Sequence, residues 1–318
     1  MIARTLRMSG GIGIWLAVVW LALGLALPWL VFPRLAADIV IWALFAVALD
    51  LLLGYAGLLS FGHAMFWGAS SYLCGILIVR AHWSFVPAVL GGILAAVIIA
   101  AIVGAVSIRR QGIYFAMITL AFAQLVFFFA NQFKDFTGAE NGLQGVPRPW
   151  LFGLPVNDDR AFYYIALAFA VLGVAFALRV VHSPFGQVLT AIRENEPRAI
   201  SLGYASNLYK FGAFVLSAAL SGLAGSLYVI AHGFTSLDTV QWQTSGQVVI
   251  MTVLGGMGTI FGPMFGAALY LLINDRLSTL TNSPGFVMGA LFIVVVSLFR
   301  RGIVGELIHL FTRKKPAA

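Results

Sequence analysis

The stretch GYAGLLSFGHAMFWGASSYL, residues 54–73, is apolar enough to lie in a membrane, yet it contains many residues that a plain membrane helix does not need. Glycine weakens a helix, and a polar side chain in lipid needs a hydrogen-bond partner. The residues concerned are Gly54, Gly57, Gly62, Gly68, Ser60, Ser70, Ser71 and His63. Glycine allows a helix break or a close helix crossing, and hydroxyl groups can bond across it. The stretch therefore predicts a helix break or crossing that is shielded from lipid.

A second stretch, about 200 residues later, repeats this order of residues. Gly-x-x-Gly followed by Phe-Gly occurs in 54–62 and again in 255–262. We expect two matching breaks, related by an internal repeat and facing the interior of the protein. The candidate break residues are Gly54, Gly57, Gly62, Gly255, Gly256, Gly258 and Gly262. The alternative is that membrane helices reuse small residues for close packing without any repeat.

The composition indicates an all-α polytopic membrane protein. The 318 residues are 61% hydrophobic and only 9% charged, whereas soluble domains have about 25% charged residues. The net charge of +8 fits an excess of Lys and Arg in cytoplasmic loops better than nucleic-acid binding, so no nucleic-acid partner is expected. The single cysteine, Cys74, allows no internal disulfide.

About eight spanning helices are predicted, together with one broken or re-entrant hairpin. The apolar windows are 12–32, 37–53, 58–79, 85–106, 113–132, 161–181, 208–232 and 284–299. The run from Ile12 to Phe32 is too long for a signal-peptide core, so it is interpreted as a retained first span. The stretch 245–275 is too long for one span and too short for two, and either a re-entrant hairpin or two shortened spans would fit it.

Loop charges predict which side each loop faces. The loop 131–160 has three basic and four acidic residues, which is typical of the outer side. Basic residues cluster before the first span, around 182–210 and at the end of the chain, so both termini and 182–210 are expected to be cytoplasmic.

The segment 182–210 is predicted to form two short amphipathic helices. Ser183 before Pro184 is a typical helix start. A helix over 184–193 would present one apolar face, made of Phe185, Val188, Leu189 and Ile192. The charged residues Arg193, Glu194, Glu196 and Arg198 suit docking of a cytoplasmic protein. The alternative is an ordinary interfacial helix that lies on lipid.

Few polar groups occur inside the predicted spans. Ser60, His63 and Gln124 are candidates for a substrate pathway, although packing would also explain each of them. Asp50 is the main intramembrane acid, and its role is left open.

Several kinds of chemistry are excluded or disfavoured by the motifs. No Gly-Lys dipeptide occurs, which excludes a phosphate-binding loop of the G-x-x-x-x-G-K-[ST] type. No H-E-x-x-H and no cysteine pair indicate a metal site, and no catalytic constellation is recognisable. Proton-coupled transport usually needs more intramembrane ionisable groups. We therefore expect no enzyme, no metal and no cofactor in this chain.

Five motifs in order resemble the inner-membrane permeases of branched-chain amino acid ABC importers, and more narrowly the longer of that system's two permease paralogues. They are LLLGYAGLLSFGHAMFWGASSY (51–72), RRQGIYFAMITLAFAQLV (109–126), TGAENGLQGVP (137–147), SPFGQVLTAIRENEPRAISLGY (183–204) and VLGGMGTIFGPMFGA (253–267). Asp50 departs from the family, which more often has Asn there. Glu196-Pro197-Arg198-Ala199 before Gly203 also departs from the Glu-Ala-Ala and Gly pattern of ABC importers in general.

The resemblance implies one permease domain over 1–318 in the bacterial inner membrane. The implied partners are a homologous permease in a heterodimer, two cytoplasmic ATPase subunits that bind ATP, and a periplasmic substrate-binding protein. The loop 182–210 would then dock the ATPases, and 131–160 would contact the binding protein. The implied substrate is a branched-chain or related amino acid. Relatives import urea, amides or aromatic acids, and a secondary transporter or channel is a more distant alternative.

Overall fold

The structure, a computed structural model, describes residues 10–150, 158–281, 284–298 and 302–306. Most of this part of the chain is helical. The helices are α1 Gly10–Leu30, α2 Pro33–Asp50, α3 His63–Val79, α4 Phe85–Ser107, α5 Gly112–Gln132, α6 Lys134–Thr137, α7 Asp159–Val181, α8 Pro184–Glu194, α9 Glu196–Ser201, α10 Ser206–His232, α11 Trp242–Gly255, α12 Phe261–Leu280 and α13 Pro284–Leu298. A π-helical turn, Leu51–Tyr55, continues α2, and short 3₁₀ turns cover Ala139–Asn141 and Leu237–Thr239. The prediction of an all-α polytopic membrane protein is confirmed.

Five helices within the described residues are long and apolar enough to cross a membrane. They are Pro33–Tyr55, Phe85–Ser107, Gly112–Gln132, Asp159–Val181 and Ser206–His232. Most predicted span boundaries agree with the helices to within a few residues. The prediction for 58–79 is wrong at its start, because residues 57–62 are not helical and α3 begins at His63. The awkward stretch 245–275 contains most of α11 and most of α12, separated by the non-helical residues 256–260.

Helix α2 and the turn that follows it lie at the centre of the bundle. Helices α7, α10, α11 and α12 all pack against α2, and its residues from Ala43 to Asp50 are buried without exception. Alanine is frequent on this helix, which lets several neighbours approach it closely. The end of α2 therefore lies where these four helices come together.

Small residues hold α3, α4 and α10 together. A Cβ on Gly225 of α10 would collide with the Trp67 carbonyl of α3, and the Ser71 hydroxyl donates to the Gly225 carbonyl at 2.7 Å. Gly92 of α4 lies equally close to Ser226 of α10. Backbone contact of this kind requires glycine, and buried hydroxyls donate hydrogen bonds to the backbone carbonyls at the crossing. This explains the second half of the stretch 54–73 as a close helix crossing.

The opposite face of α4 is apolar and exposed. Leu90, Leu94, Ile98, Ile102 and Val106 follow each other at intervals of four residues and are each at least half exposed. In a helix this spacing forms one stripe, and an exposed aliphatic stripe suits contact with lipid tails.

The loop 131–160 folds back onto the end of α10. The Leu143 and Thr235 backbones pair in both directions, at 2.9 and 3.0 Å, and the Val146 amide donates to the Gly233 carbonyl at 2.8 Å. Arg148 forms an ion pair with Asp159 at 2.5 Å. The described part of this loop is thus attached to the bundle rather than free of it.

Candidate functional site

The first predicted break is present at residues 57–62. Gly57 has φ +72°, in the left-handed region that favours glycine. The Ser60 hydroxyl is fully buried and accepts a hydrogen bond from the Gly62 amide at 3.2 Å. A Cβ on Gly62 would lie only 2.6 Å from the Thr119 carbonyl of α5, so the backbone touches a neighbouring helix there. Gly57 and Gly62, which were both predicted as break residues, lie in this non-helical segment.

Helix α3 starts beyond this break with a cap from a distant helix. The Ala64 amide donates to the Ser245 hydroxyl of α11 at 2.8 Å. The first amides of a helix have no partner inside it, and a serine hydroxyl is a suitable acceptor. Sequence reasoning missed Ser245, because the contact joins residues 181 positions apart.

His63 makes an internal hydrogen bond at the start of α3. Its Nε2 lies 2.8 Å from the Ser217 hydroxyl, and that hydroxyl donates to the Ala48 carbonyl at 2.5 Å. Since the hydroxyl proton goes to Ala48, Nε2–H must be the donor to Ser217. The imidazole is completely buried and packs edge-on against Phe66. His63 thus joins α2, α3 and α10, which is a packing role inside the chain.

The second predicted break, at residues 256–260, has the same local chemistry. Gly256 and Gly258 have φ +117° and +76°, and the value at Gly258 matches that at Gly57. The Thr259 hydroxyl accepts from the Gly262 amide at 3.0 Å and donates to the Gly256 carbonyl at 2.8 Å. In both breaks a hydroxyl therefore holds the amide of the Phe-Gly glycine, as an internal repeat would require.

Asp50 at the end of α2 holds the second break. Its Oδ1 accepts from the Gly258 amide at 2.7 Å, and its Oδ2 accepts from the Ile260 amide at 3.3 Å. The carboxylate is fully buried and lies at the N-terminus of α12, where backbone amides and the helix dipole favour a negative charge. The composition marked Asp50 as unusual, but nothing in the local sequence indicates its partners.

The π-helical turn that leads into the first break touches the second break. A Cβ on Gly54 would come 2.5 Å from the Gly258 amide and 2.8 Å from the Asp50 carboxyl carbon. Gly255, at the end of α11, is equally restricted, because a Cβ there would collide with the carbonyl of Gly262. These glycines are buried, and their neighbours are protein backbone. Within the breaks, in contrast, Gly57 and Met257 are exposed and Gly258 is partly exposed, so the expectation that both breaks are shielded inside the protein stays a prediction.

Arg193 connects the segment 182–210 to this meeting point. Its guanidinium donates from Nη1 to the Gly54 carbonyl, in the π-helical turn after Asp50. The same Nη1 would lie 3.4 Å from a Cβ on Gly258, and the Arg193 Cγ would lie 3.0 Å from a Cβ on Gly57. The structure thus brings one predicted docking residue together with Gly54, Gly57 and Gly258.

The segment 182–210 folds as two short helices, as predicted. The Ser183 hydroxyl accepts from the Gly186 amide at 3.5 Å, and Asn195 caps α9 by accepting from the Arg198 amide at 3.0 Å. Leu189 and Ile192 of α8 are buried against α7, α10 and the π-helical turn. The apolar face of α8 therefore packs on the protein, which argues against the alternative of a helix lying on lipid.

Glu196 organises this segment from inside. Its carboxylate accepts from Lys210 at 2.5 Å, from Ser206 at 2.5 Å and from Gln111 at 2.6 Å. Lys210 is almost completely buried, so the pair is a buried one whose members need each other. Glu196 was predicted as a docking residue, and the structure adds an internal role that ties α9 to α10 and to the start of α5.

Glu194 and Arg198 are exposed beside a cleft. The cleft measures about 390 Å³ and lies between the first break, the start of α5 and residues 192–197. Ile200 and Leu202, which follow the cleft residues 192–197 in the sequence, are exposed to 54% and 72%. Such exposure is unusual for large aliphatic side chains on a polar loop. A surface with exposed charges, an apolar patch and a cleft is suited to contact with another protein.

Gln124 lies on the exposed face of α5. Ser60 and His63, in contrast, are fully buried and bonded inside the chain. The structure thus does not bring the three predicted pathway residues together, and their role in substrate passage stays a prediction. Among the described residues no cluster of three or more His, Cys, Asp or Glu side chains is suited to hold a metal ion.

Comparison with known proteins identifies relatives over almost the whole chain. The family model described as the permease component of branched-chain amino acid transport systems matches residues 32–296. The high-affinity branched-chain amino acid transport system permease protein LivM of Escherichia coli (strain K12) is 27% identical over 317 residues, which cover 90% of this chain and 74% of the relative.

Two further relatives extend this comparison. The permease LivH of Salmonella typhimurium is 26% identical, over 83% of this chain and 91% of the relative. The autoinducer 2 import system permease protein LsrC of Yersinia enterocolitica is 27% identical, over 40% of this chain and 39% of the relative. No solved structure shows a significant match to the chain. The family model covers most of the apolar helices and both breaks, and the chain belongs to the family of branched-chain amino acid transport system permease components.

Proposed function

We propose that this chain is the membrane permease subunit of an ATP-driven importer for branched-chain or related amino acids. The observation that carries the proposal is the family match over 32–296, together with the similarity to LivM over 90% of the chain. The helices support it, because five of them within the described residues are long and apolar enough to cross a membrane. ATP is hydrolysed by separate subunits, since this chain has no phosphate-binding motif.

The partners follow from the two kinds of relative. This chain resembles both LivM and LivH, which fits a pair of homologous permeases in one complex. The exposed part of 182–210, with Glu194, Arg198 and the neighbouring cleft, is the surface we assign to an ATPase subunit. The loop 131–160 at the other end of the bundle is assigned to the periplasmic binding protein. This arrangement places both termini in the cytoplasm of a bacterium, with the chain in the inner membrane.

Transport then proceeds by alternating access. Closure of the ATPase dimer moves 182–210, and the movement changes which side of the membrane the pathway faces. Arg193 and Glu196 attach this segment to the first break, to α10 and to the start of α5. A rigid attachment of this kind is needed if movement of the ATPase subunits is to reach the transport pathway.

The experiment on the ATPase contact uses two charge reversals of equal size. Arg198→Glu is expected to lower co-purification of the ATPase subunits at least about tenfold, while membrane insertion stays normal. Glu140→Lys, on the exposed loop at the other end, is the matched control and should leave co-purification unchanged. Equal co-purification of the ATPases by both variants would contradict the assignment of this surface.

The substrate is tested in proteoliposomes that contain the whole complex. We expect ATP-dependent uptake of labelled leucine, isoleucine or valine when the loaded binding protein is present. Urea, short amides and an aromatic acid complete the panel, because one relative of this chain is named as an autoinducer 2 import permease rather than an amino acid permease. Uptake of one of these instead would correct the substrate class, and uptake without ATP would contradict the ABC mechanism.

A further inference from the structure

The carboxylate of Asp50 has no assigned role in transport, although it is the buried charge at the point where the π-helical turn meets the second break. It bonds the Gly258 and Ile260 amides at 2.7 and 3.3 Å and so holds the start of α12. Asp50 itself ends α2, and the π-helical turn that follows contains Gly54. Through Gly54 the same turn is bonded to Arg193 of α8. A continuous chain of contacts therefore runs from 182–210 to α12.

A charge at this position needs an explanation beyond capping. The first break shows that a neutral group is enough, because the Ser245 hydroxyl caps α3 there. A buried carboxylate is costly unless amides or a cation compensate it. Here two amides bond it, and the Arg193 guanidinium lies against the same turn, within 3.4 Å of the Cβ position of Gly258. Attraction between opposite charges also acts beyond hydrogen-bond distance, so the carboxylate can follow a movement of Arg193.

We infer that Asp50 is a positioning residue for transport, which transmits movement of α8, through Arg193 and the π-helical turn, to the N-terminus of α12. The inference rests on the proposed function, since it requires that 182–210 moves with the ATPases. It goes beyond the proposed function, because it names the buried groups that transmit the movement and the helix to which the movement is transmitted. Thr252, which lies close by in the contact of α11 with α2, has no such connection: its hydroxyl bonds only the Val248 and Ala46 carbonyls.

The test compares uptake with hydrolysis in the reconstituted complex. Asp50→Asn keeps the shape of the side chain and one acceptor oxygen but removes the charge. We expect ATPase co-purification and ATP hydrolysis within about twofold of wild type. The amount of leucine taken up per ATP hydrolysed should fall at least about tenfold, and a factor of ten corresponds to about 1.4 kcal/mol. Thr252→Val is the matched control and should leave this ratio unchanged.

A second variant keeps the inference falsifiable if Asp50→Asn fails to assemble. Arg193→Gln changes a half-buried side chain on α8 and should lower the same ratio. In the double variant the losses should not add, because both substitutions interrupt one connection. A normal ratio in Arg193→Gln, or a fall of uptake and hydrolysis together in Asp50→Asn, would overturn the inference. Absence of ATP-dependent uptake by the wild-type complex would instead contradict the proposed function itself.

Discussion

The break at 57–62 and the break at 256–260 share their local chemistry but are held by different groups. Each has a left-handed glycine and a hydroxyl that binds the amide of the Phe-Gly glycine. The helix after the first break is capped by Ser245 of α11, and the second break is held by Asp50 of α2. Each break is thus secured by the helix that precedes the other one. The difference is that only the second break is held by a buried carboxylate, whereas Arg193 lies against both breaks.

Substitution of the glycines that touch backbone should have the largest effect. Gly54→Ala would press a methyl group against Asp50 and the Gly258 amide of the second break, and Gly255→Ala would press one against the Gly262 carbonyl within that break, so we expect each to lose about 3 kcal/mol or more in the free energy of unfolding. Denaturation of the purified protein in detergent measures it. Gly246→Ala in the same helix α11 has no atom within 4 Å and should be neutral, or stabilising by up to about 1 kcal/mol. Equal stability of Gly54→Ala and Gly246→Ala would show that the turn before the first break does not touch the second break.

The left-handed glycines should cost less. Gly57→Ala and Gly258→Ala force alanine into an unfavourable backbone region, at about 1–2 kcal/mol each. Gly112→Ala is the control, since Gly112 has φ +59° and no neighbour within 4 Å, and it measures the backbone cost alone. The two breaks should exceed this control by similar amounts. A cost at only one of them would argue against a structural repeat.

Loss of the neutral cap should have a smaller effect. Ser245→Ala removes the acceptor for the Ala64 amide and should destabilise the protein by about 1 kcal/mol. Ser278→Ala, an exposed serine in α12, provides the comparison and should have no measurable effect in the same denaturation experiment. If Ser245→Ala is as stable as Ser278→Ala, the cap contributes nothing to stability. In that case α11 does not secure the helix after the first break.

The hydroxyls inside the breaks should have the smallest effect. Ser60→Ala and Thr259→Ala each remove a bond to the amide of a Phe-Gly glycine, at about 0.5–1 kcal/mol. Thr259→Ser should restore the stability of the second break, because it keeps the hydroxyl. Melting temperatures of the purified variants measure both effects. A loss at Thr259 that serine does not rescue would assign the effect to the methyl group instead.

Local features of the fold could be predicted from the sequence. The glycines of the two breaks, the Ser183 cap and the apolar face of α8 all depend on residues within a few positions of each other. Asn195 before Glu196-Pro197 is also a typical cap signal, and it could have been recognised in the same way. For these features the pattern of the sequence contains the physical cause.

Contacts between distant residues could not be predicted. Asp50 and Gly258 are 208 positions apart, and no pattern near Asp50 indicates a backbone amide as its partner. Nor does apolarity show which helix becomes central. Helices α2 and α5 are similarly apolar. In the most apolar part of the α2 span 83% of the residues are buried, whereas in the corresponding part of α5 only 28% are buried. Which face packs depends on the surrounding helices, so the exposed position of Gln124 became visible only in the fold.

Hydrogen exchange of the purified protein tests the reciprocal connection most directly. Asp50→Asn, before the first break, should speed exchange of the amides in 256–262, and Ser245→Ala, before the second, should speed it in 62–66. Local opening of a backbone segment exposes its amides to exchange. The account predicts this crosswise pattern. Faster exchange only in the break next to each substitution, or no change in either segment, would contradict it.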